Sequence, residues 1–182
     1  MSKLLLSIFF VIFFINGCDV SNKIENNVIK KKPSFFTKKS NFMLLNFDSA
    51  TEKIISKILK NNNKFAFKNT LFFIDLLENN TNILINTEKL TDLIKNKFVE
   101  KNNKINFLKK EIIQKNKKKL GLLKIKNTLD TSTAILISRN NNVNYYLHSC
   151  ISGKNEPFLL KIELILVKTG EIVFMQKEKF YW

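Results

Sequence analysis

The sequence is short of the residues on which most chemistry depends. Its 182 residues include one histidine, two cysteines, two prolines and four glycines. A lone His148 excludes a histidine-rich metal centre, and Cys18 and Cys150 cannot supply a disulfide scaffold or the thiolates of a structural zinc site. Four glycines leave no glycine-rich phosphate loop, and two prolines exclude collagen-like and proline-rich architectures. Gly-x-Ser-x-Gly, His-Glu-x-x-His and Cys-x-x-Cys are all missing. Asp75, Glu78 and Glu163 are acids, but a sequence does not show two carboxylates sharing a cleft. The chain therefore does not read as an enzyme, and no cofactor motif or metal-ligand set emerges.

Arginine is nearly absent too. Arg139 stands alone among 31 basic residues, against 15 acidic ones, for a formal net charge of +16. Such an excess ordinarily marks binding to nucleic acid or to an anionic surface. Specific phosphate and guanine recognition, however, leans on the planar arginine fork, and here the charge is carried by lysine. Lysine is accompanied by abundant Asn, Ile and Phe, with runs at Asn61–Asn63 and Asn140–Asn142. These are the residues that AT-only codons favour. Much of the charge thus reads as genome base composition, and the rest as real surface field.

What is present begins at the N-terminus. Lys3 precedes an apolar run from Leu4 to Ile15, broken only by Ser7. Twelve helical residues span about 18 Å, short of a ~30 Å hydrocarbon core, so the run fits a signal-peptide core rather than a transmembrane helix. It ends in Ile15-Asn16-Gly17-Cys18, which resembles the bacterial lipobox, with Asn16 an unusual occupant. Cleavage between Gly17 and Cys18, and acylation of Cys18, are expected. A buried cysteine without lipid is the alternative. Several acyl chains make a stable membrane anchor, and a lipoprotein outside the cytoplasm has no nucleic-acid partner. Residues 1–17 are therefore read as signal peptide, and 18–40 as lipidated N-terminus and tether. The tether carries Lys30-Lys31-Lys32 and Pro33 and reaches at most about 75 Å when extended.

Residues 41–182 carry the pattern of one folded domain. Ser49-Ala50-Thr51-Glu52 has capping-box spacing ahead of Ile54, Ile55, Ile58 and Leu59. Leu71–Leu77 suits a buried strand. Asn86 and Thr87 can cap a helix carrying Leu90, Leu93, Ile94 and Phe98. Ile105 and Phe107, with Leu108 beside them, make a second strand. Lys110–Leu120 reads as a lysine-rich helix stopped by Gly121. A helix over Thr128–Arg139 and a strand over Val143–Ile151 follow. The alternation of Phe158, Leu160, Ile162, Leu164 and Leu166 with Leu159, Lys161 and Glu163 gives a strand, and Lys168–Glu171 turns it into a hairpin with Ile172-Val173-Phe174. The fold class is α/β: a single small domain with a mixed sheet, helices packed on it and a C-terminal hairpin. His148 and Cys150, two apart on a strand, could face the same way. A zinc site needs a third and fourth ligand that the sequence lacks.

The order of motifs from Ser56 to Lys179 resembles the LpoB family, outer-membrane lipoprotein activators of a bifunctional class A penicillin-binding protein. Leu166-Val167-Lys168-Thr169-Gly170-Glu171-Ile172-Val173 followed by Phe174 matches the family's C-terminal pattern. Tyr145-Tyr146-Leu147-His148-Ser149-Cys150-Ile151-Ser152-Gly153 is similar to its Tyr-x-Leu-x-Ser-x-x-Ser-Gly strand. Leu120-Gly121-Leu122, Asn79-Asn80-Thr81-Asn82 and Ser56-Lys57-x-Leu59 fall in the same order. The resemblance implies a fold similar to the N-terminal domain of TolB. It also implies a monomer, without cofactor or catalysis, that docks on the synthase and stimulates glycan polymerisation and peptide crosslinking. Asn80 and His148 occupy motif positions suited to contacting that partner or to a structural role. The localisation implied is the outer membrane, facing the periplasm. The short tether and Asp19 directly after Cys18 leave inner-membrane retention open. The alternative function is a membrane-anchored basic lipoprotein that binds an anionic polymer or lipid headgroups.

Overall fold

Apolar side chains two apart along Phe158–Leu164 and three or four apart along Phe47–Ile58 commit these segments to a strand and a helix sharing one core. A computed structural model describes residues 36–61, 67, 69–122 and 128–181, with side chains from residue 46 onward. Gly17, Cys18 and most of the expected tether lie outside the described residues. In chain order the elements are α1 (Phe36–Lys60), β1 (Thr70–Ile74), β2 (Glu78–Thr81), α2 (Thr87–Lys101), β3 (Ile105–Phe107), α3 (Lys110–Lys119), α4 (Thr131–Arg139), β4 (Tyr145–Gly153), β5 (Phe158–Leu166) and β6 (Glu171–Phe180).

The strands form one mixed sheet in the order β3-β1-β4-β5-β6, with β2 also paired to β4. β1 runs parallel to β3 and β4, and β2 parallel to β4, whereas β4–β5 and β5–β6 are antiparallel. Helices α1 and α2 cover one face. Phe47, Ile54, Ile55 and Ile58 from α1 and Leu90, Ile94 and Phe98 from α2 pack on Phe72, Leu147, Ile151, Leu160, Ile162 and Leu164. On the other face, Ile113 of α3 and Ala134 and Ile137 of α4 pack on Phe73, Tyr146 and Ile165.

The expected α/β class, mixed sheet and C-terminal hairpin are all present, as are α2, capped by Asn86, and the left-handed Gly121 (φ +72°) after α3. Three expectations are corrected. Ser49 does not cap a helix: α1 starts at Phe36, inside the stretch read as tether, and Glu52 pairs with Lys101 of α2 at 2.9 Å. Second, the first strand stops at Ile74, and a short polar strand, β2, follows it. Finally, α4 begins at Thr131, because the Asp130 carboxylate accepts the Thr133 N–H and the Ser132 and Thr133 hydroxyls.

Two polar devices hold the second layer in place. The sole arginine, Arg139, donates through Nε to the Val167 carbonyl (3.0 Å) and through Nη2 to that of Lys168 (3.4 Å), tying α4 to the β5–β6 turn. Asp75 and Lys117 form a buried ion pair at 3.4 Å, and the other Asp75 oxygen accepts the Leu129 N–H.

Removing one member of such a pair leaves the other charge buried. Lys117→Met is expected to cost about 3 kcal/mol in denaturant unfolding, and adding Asp75→Asn should recover much of the loss. The three hydrogen bonds at Asp130, led by those from Ser132 and Thr133, hold its carboxyl well below the usual carboxylate range. A depressed folded-state pKa stabilises fully above pH ~4 and loses effect as pH falls below that. Asp130→Ala is therefore expected to cost about 1 kcal/mol at pH 7, with the gap to the parent narrowing in thermal melts between about pH 4 and pH 2.

Candidate docking face

Among the described residues, helices cover only half of the second face of the sheet. Helices α3 and α4 pack where β4 begins and β5 ends. Over the other half, no helix packs among the described residues. β4 presents His148, Cys150 and Ser152 there, opposite Glu163, Lys161 and Leu159 of β5, and β6 adds Met175, Lys177 and Lys179 in the next column.

β2 completes this surface through an irregularity. Ile74 aligns with Leu147 and Glu78 with Cys150, so four steps on one side oppose three on the other. The extra residue reverses the alternation. Ile74 and Leu77 enter the α1/α2 core, while Glu78 and Asn80 come out on the open face. The Leu77 N–H, displaced from the ladder, donates to the buried Thr91 hydroxyl at 2.8 Å, and that hydroxyl donates to the Thr87 carbonyl.

Both contact candidates from the sequence lie on this face, joined by a residue it did not single out for contact. Glu78 accepts from the Asn80 amide (3.1 Å) through one oxygen and stands 3.3 Å from His148 Nε2 through the other. His148 also lies 4.0 Å from Glu163, which pairs with Lys161 at 3.1 Å. The Tyr146 hydroxyl is 3.5 Å from His148 Nδ1, and burial pushes its phenol well above the ordinary range, so it stays neutral. Asn80 further approaches the Cys150 sulfur at 3.5 Å. Burial, with help from the Glu78 charge, raises the Cys150 thiol, which makes it a poor nucleophile. Ser149 points to the core side, where its hydroxyl has no hydrogen-bond partner among the described residues.

No nucleophile meets a base here, and no group of three metal ligands occurs among the described residues. The arrangement is a fixed polar surface with features that suit contact. Lys161 lies directly opposite Lys177, a like-charge pairing that the Lys161–Glu163 ion pair offsets. Met175 is half exposed, and Leu84, in the loop after β2, is fully exposed. Beside β2 lies a notch of about 350 Å³ lined by Leu76, Glu78, Asn80 and Thr87. The alternation along β5 made Lys161 and Glu163 legible as its polar side. Glu78, Lys177 and Met175 depend on registers that two irregularities set.

The sequence model of the family described as "Peptidoglycan-synthase activator LpoB" matches residues 45–180. Protein BU358 of Buchnera aphidicola is 66% identical over 174 residues, covering 96% of this chain and 99% of its own. Penicillin-binding protein activator LpoB of Escherichia coli K12 is 29% identical over 131 residues, which is 72% of this chain and 60% of that protein. The Pantoea ananatis activator is 28% identical over 71% of this chain and 64% of its own. The chain thus spans less than two thirds of these named activators. Among solved structures, the LpoB C-terminal domain from Salmonella enterica superposes with a TM-score of 0.67 at 28% identity, covering 75% of this chain and 98% of that domain.

The open face depends on the bulge, and the bulge on Thr91. Thr91→Val keeps the side-chain shape but strands the Leu77 N–H, and is expected to cost about 1–3 kcal/mol in denaturant unfolding. Ser149→Ala, which removes a buried hydroxyl without a partner, should be neutral or stabilising in the same assay.

Proposed function

The chain belongs to the LpoB family of peptidoglycan-synthase activators, and from that premise we propose that it docks on a bifunctional class A penicillin-binding protein through the half-open sheet face. Docking raises the synthase's glycan-polymerising and peptide-crosslinking rates, and this chain catalyses neither. The observation that carries the reading is the polar half-sheet that no helix covers among the described residues, with the half-exposed Met175 in its β6 column. Activation of this kind requires tighter binding to the active synthase conformation than to the inactive one. A strand-built surface suits that task, since little backbone freedom is lost on docking. Asn80 and His148, both held by Glu78, contact the partner. The Lys161–Lys177 column favours an acidic counter-surface.

A signal peptide cleaved between Gly17 and Cys18, with acylation of Cys18, anchors the chain. The reading places that anchor in the outer membrane with the domain facing the periplasm, as a monomer, and Asp19 makes the inner membrane the competing location. Seventeen residues separate Cys18 from the start of α1 at Phe36. Their reach is at most about 60 Å, so the domain works close to its anchor or in a narrow periplasm.

Full-length chain in detergent should bind the cognate synthase saturably at physiological salt and accelerate glycan polymerisation. Met175→Ala with Lys177→Glu should weaken binding about tenfold or more, whereas Ile112→Ala, on the exposed side of α3, should leave it unchanged. No binding by a folded chain overturns the docking reading. Equal binding by all variants overturns the assignment of the face. Density fractionation of membranes tests the anchor, with recovery in the inner-membrane fraction overturning the outer-membrane placement.

A further inference from the structure

The opposite end of the sheet, where β4 begins and β5 ends, carries a different chemistry. A cleft of about 510 Å³ opens there, and Arg139, Asn142, Asn144 and Lys168 are among its lining residues. No aspartate or glutamate lines it. Elsewhere on the domain Lys57, Lys97, Lys101, Lys110, Lys117 and Lys161 each lie within 4 Å of a carboxylate. Arg139 and Lys168 have no acid partner among the described residues.

The hydrogen-bond inventory is equally one-sided. The carbonyls of Arg139, Asn144 and Leu166 accept the N–H groups of Asn142, Val167 and Gly170. Those of Val167 and Lys168 accept the guanidinium, and Asn144 Oδ1 accepts the Leu71 N–H. Donors are left over: Arg139 Nη1, the Asn144 amide nitrogen and the Lys168 ammonium make no hydrogen bond among the described residues. With the Nε–Nη2 edge of Arg139 engaged, its end-on Nη1–Nη2 edge remains, two parallel N–H groups at the spacing of a carboxylate's oxygens.

We propose that this cleft binds the free carboxylate of a cell-wall peptide. The anion chemistry follows from the donors alone. The choice of a cell-wall peptide rests on the synthase-activator reading, because the peptides of peptidoglycan end in carboxylates. A lipid surface fits less well, since attraction to anionic headgroups is built from clusters of about four to eight basic side chains and this cleft has two cations. Because the cleft and the docking face lie at opposite ends of β4, both can be occupied together. The chain then holds a peptide of the product while its other end engages the synthase.

The test is calorimetric titration of full-length chain in detergent with a peptidoglycan stem tripeptide bearing free carboxylates. Its fully amidated counterpart, inorganic phosphate and phosphatidylglycerol vesicles are the comparison probes. Saturable binding of the free acid alone is expected. Lys168→Ala with Asn142→Gly should weaken it about tenfold, and both changes spare the fold, since Lys168 is exposed and Asn142 already has φ +54°. Arg139→Lys, which keeps the charge but loses the fork, should weaken it comparably. Equal binding of free and amidated peptide, equal affinity in the double variant, phosphate or vesicles binding as tightly, or no binding at all would each overturn the proposal. Synthase binding, measured in parallel on the same double variant, should match the parent, so its loss in both proteins alongside retained peptide binding condemns the docking reading alone.

Discussion

One residue too many between β1 and β2 governs what the open face displays. Parallel pairing with β4 forces both strands to share its alternation, and the surplus residue resets that alternation between Ile74 and Glu78. Without it, Glu78 and Asn80 would turn toward Phe98 and Leu160, where an unpaired carboxylate is prohibitive. The kink leaves the Leu77 N–H without a ladder partner, and beside it the Asp75 side chain is buried. Thr91 of α2 takes the donor. Lys117 of α3 and the Leu129 N–H take the acid, Asp75. A single irregularity thus ties together one helix from each layer and the lead-in to α4, which is why polar residues are buried at this point of the sheet.

The two faces then divide the labour. The α1/α2 side is apolar along nearly its whole length, from Phe47 to Phe180, and supplies most of the burial that holds the domain together. The other side is apolar only where α3 and α4 cover it. Beyond Tyr146 the column switches to His148 and Cys150, and beyond Ile165 to Glu163 and Lys161. The ion pairs of this cluster are half-buried, with Glu163 and His148 the least exposed members. The cluster fixes side-chain positions on this surface, where Lys161 stands opposite Lys177 and is neutralised by Glu163.

Much of this was legible in the residues. Period-two alternation discloses β5, and Asn86 and Gly121 mark helix ends. The failures have physical causes. Glu78-Asn79-Asn80-Thr81 has no β-branched or apolar run, and its strand exists only because β4 offers a parallel partner. Ser49 and Glu52 have capping spacing by coincidence within a longer helix, whose apolar stripe already includes Phe47. The Asp75–Lys117 pair was invisible, because nothing distinguishes Lys117 from its neighbours Lys118 and Lys119 until the helix is packed.

That last point bears on the charge of the whole chain. Where a basic side chain only has to neutralise a carboxylate, as at Lys97 with Asp48 or Lys101 with Glu52, an ammonium serves as well as a guanidinium. A genome biased toward AT-rich codons can write lysine there at little physical cost. Arg139 is held to a different requirement. It reaches two successive carbonyls at once, those of Val167 and Lys168, with two donors in one plane. A lysine ammonium, a point charge on a flexible stem, does not present that fork. The chain's one arginine therefore sits where geometry rather than charge is at stake, and the surplus of lysine elsewhere is weak evidence for an anionic partner.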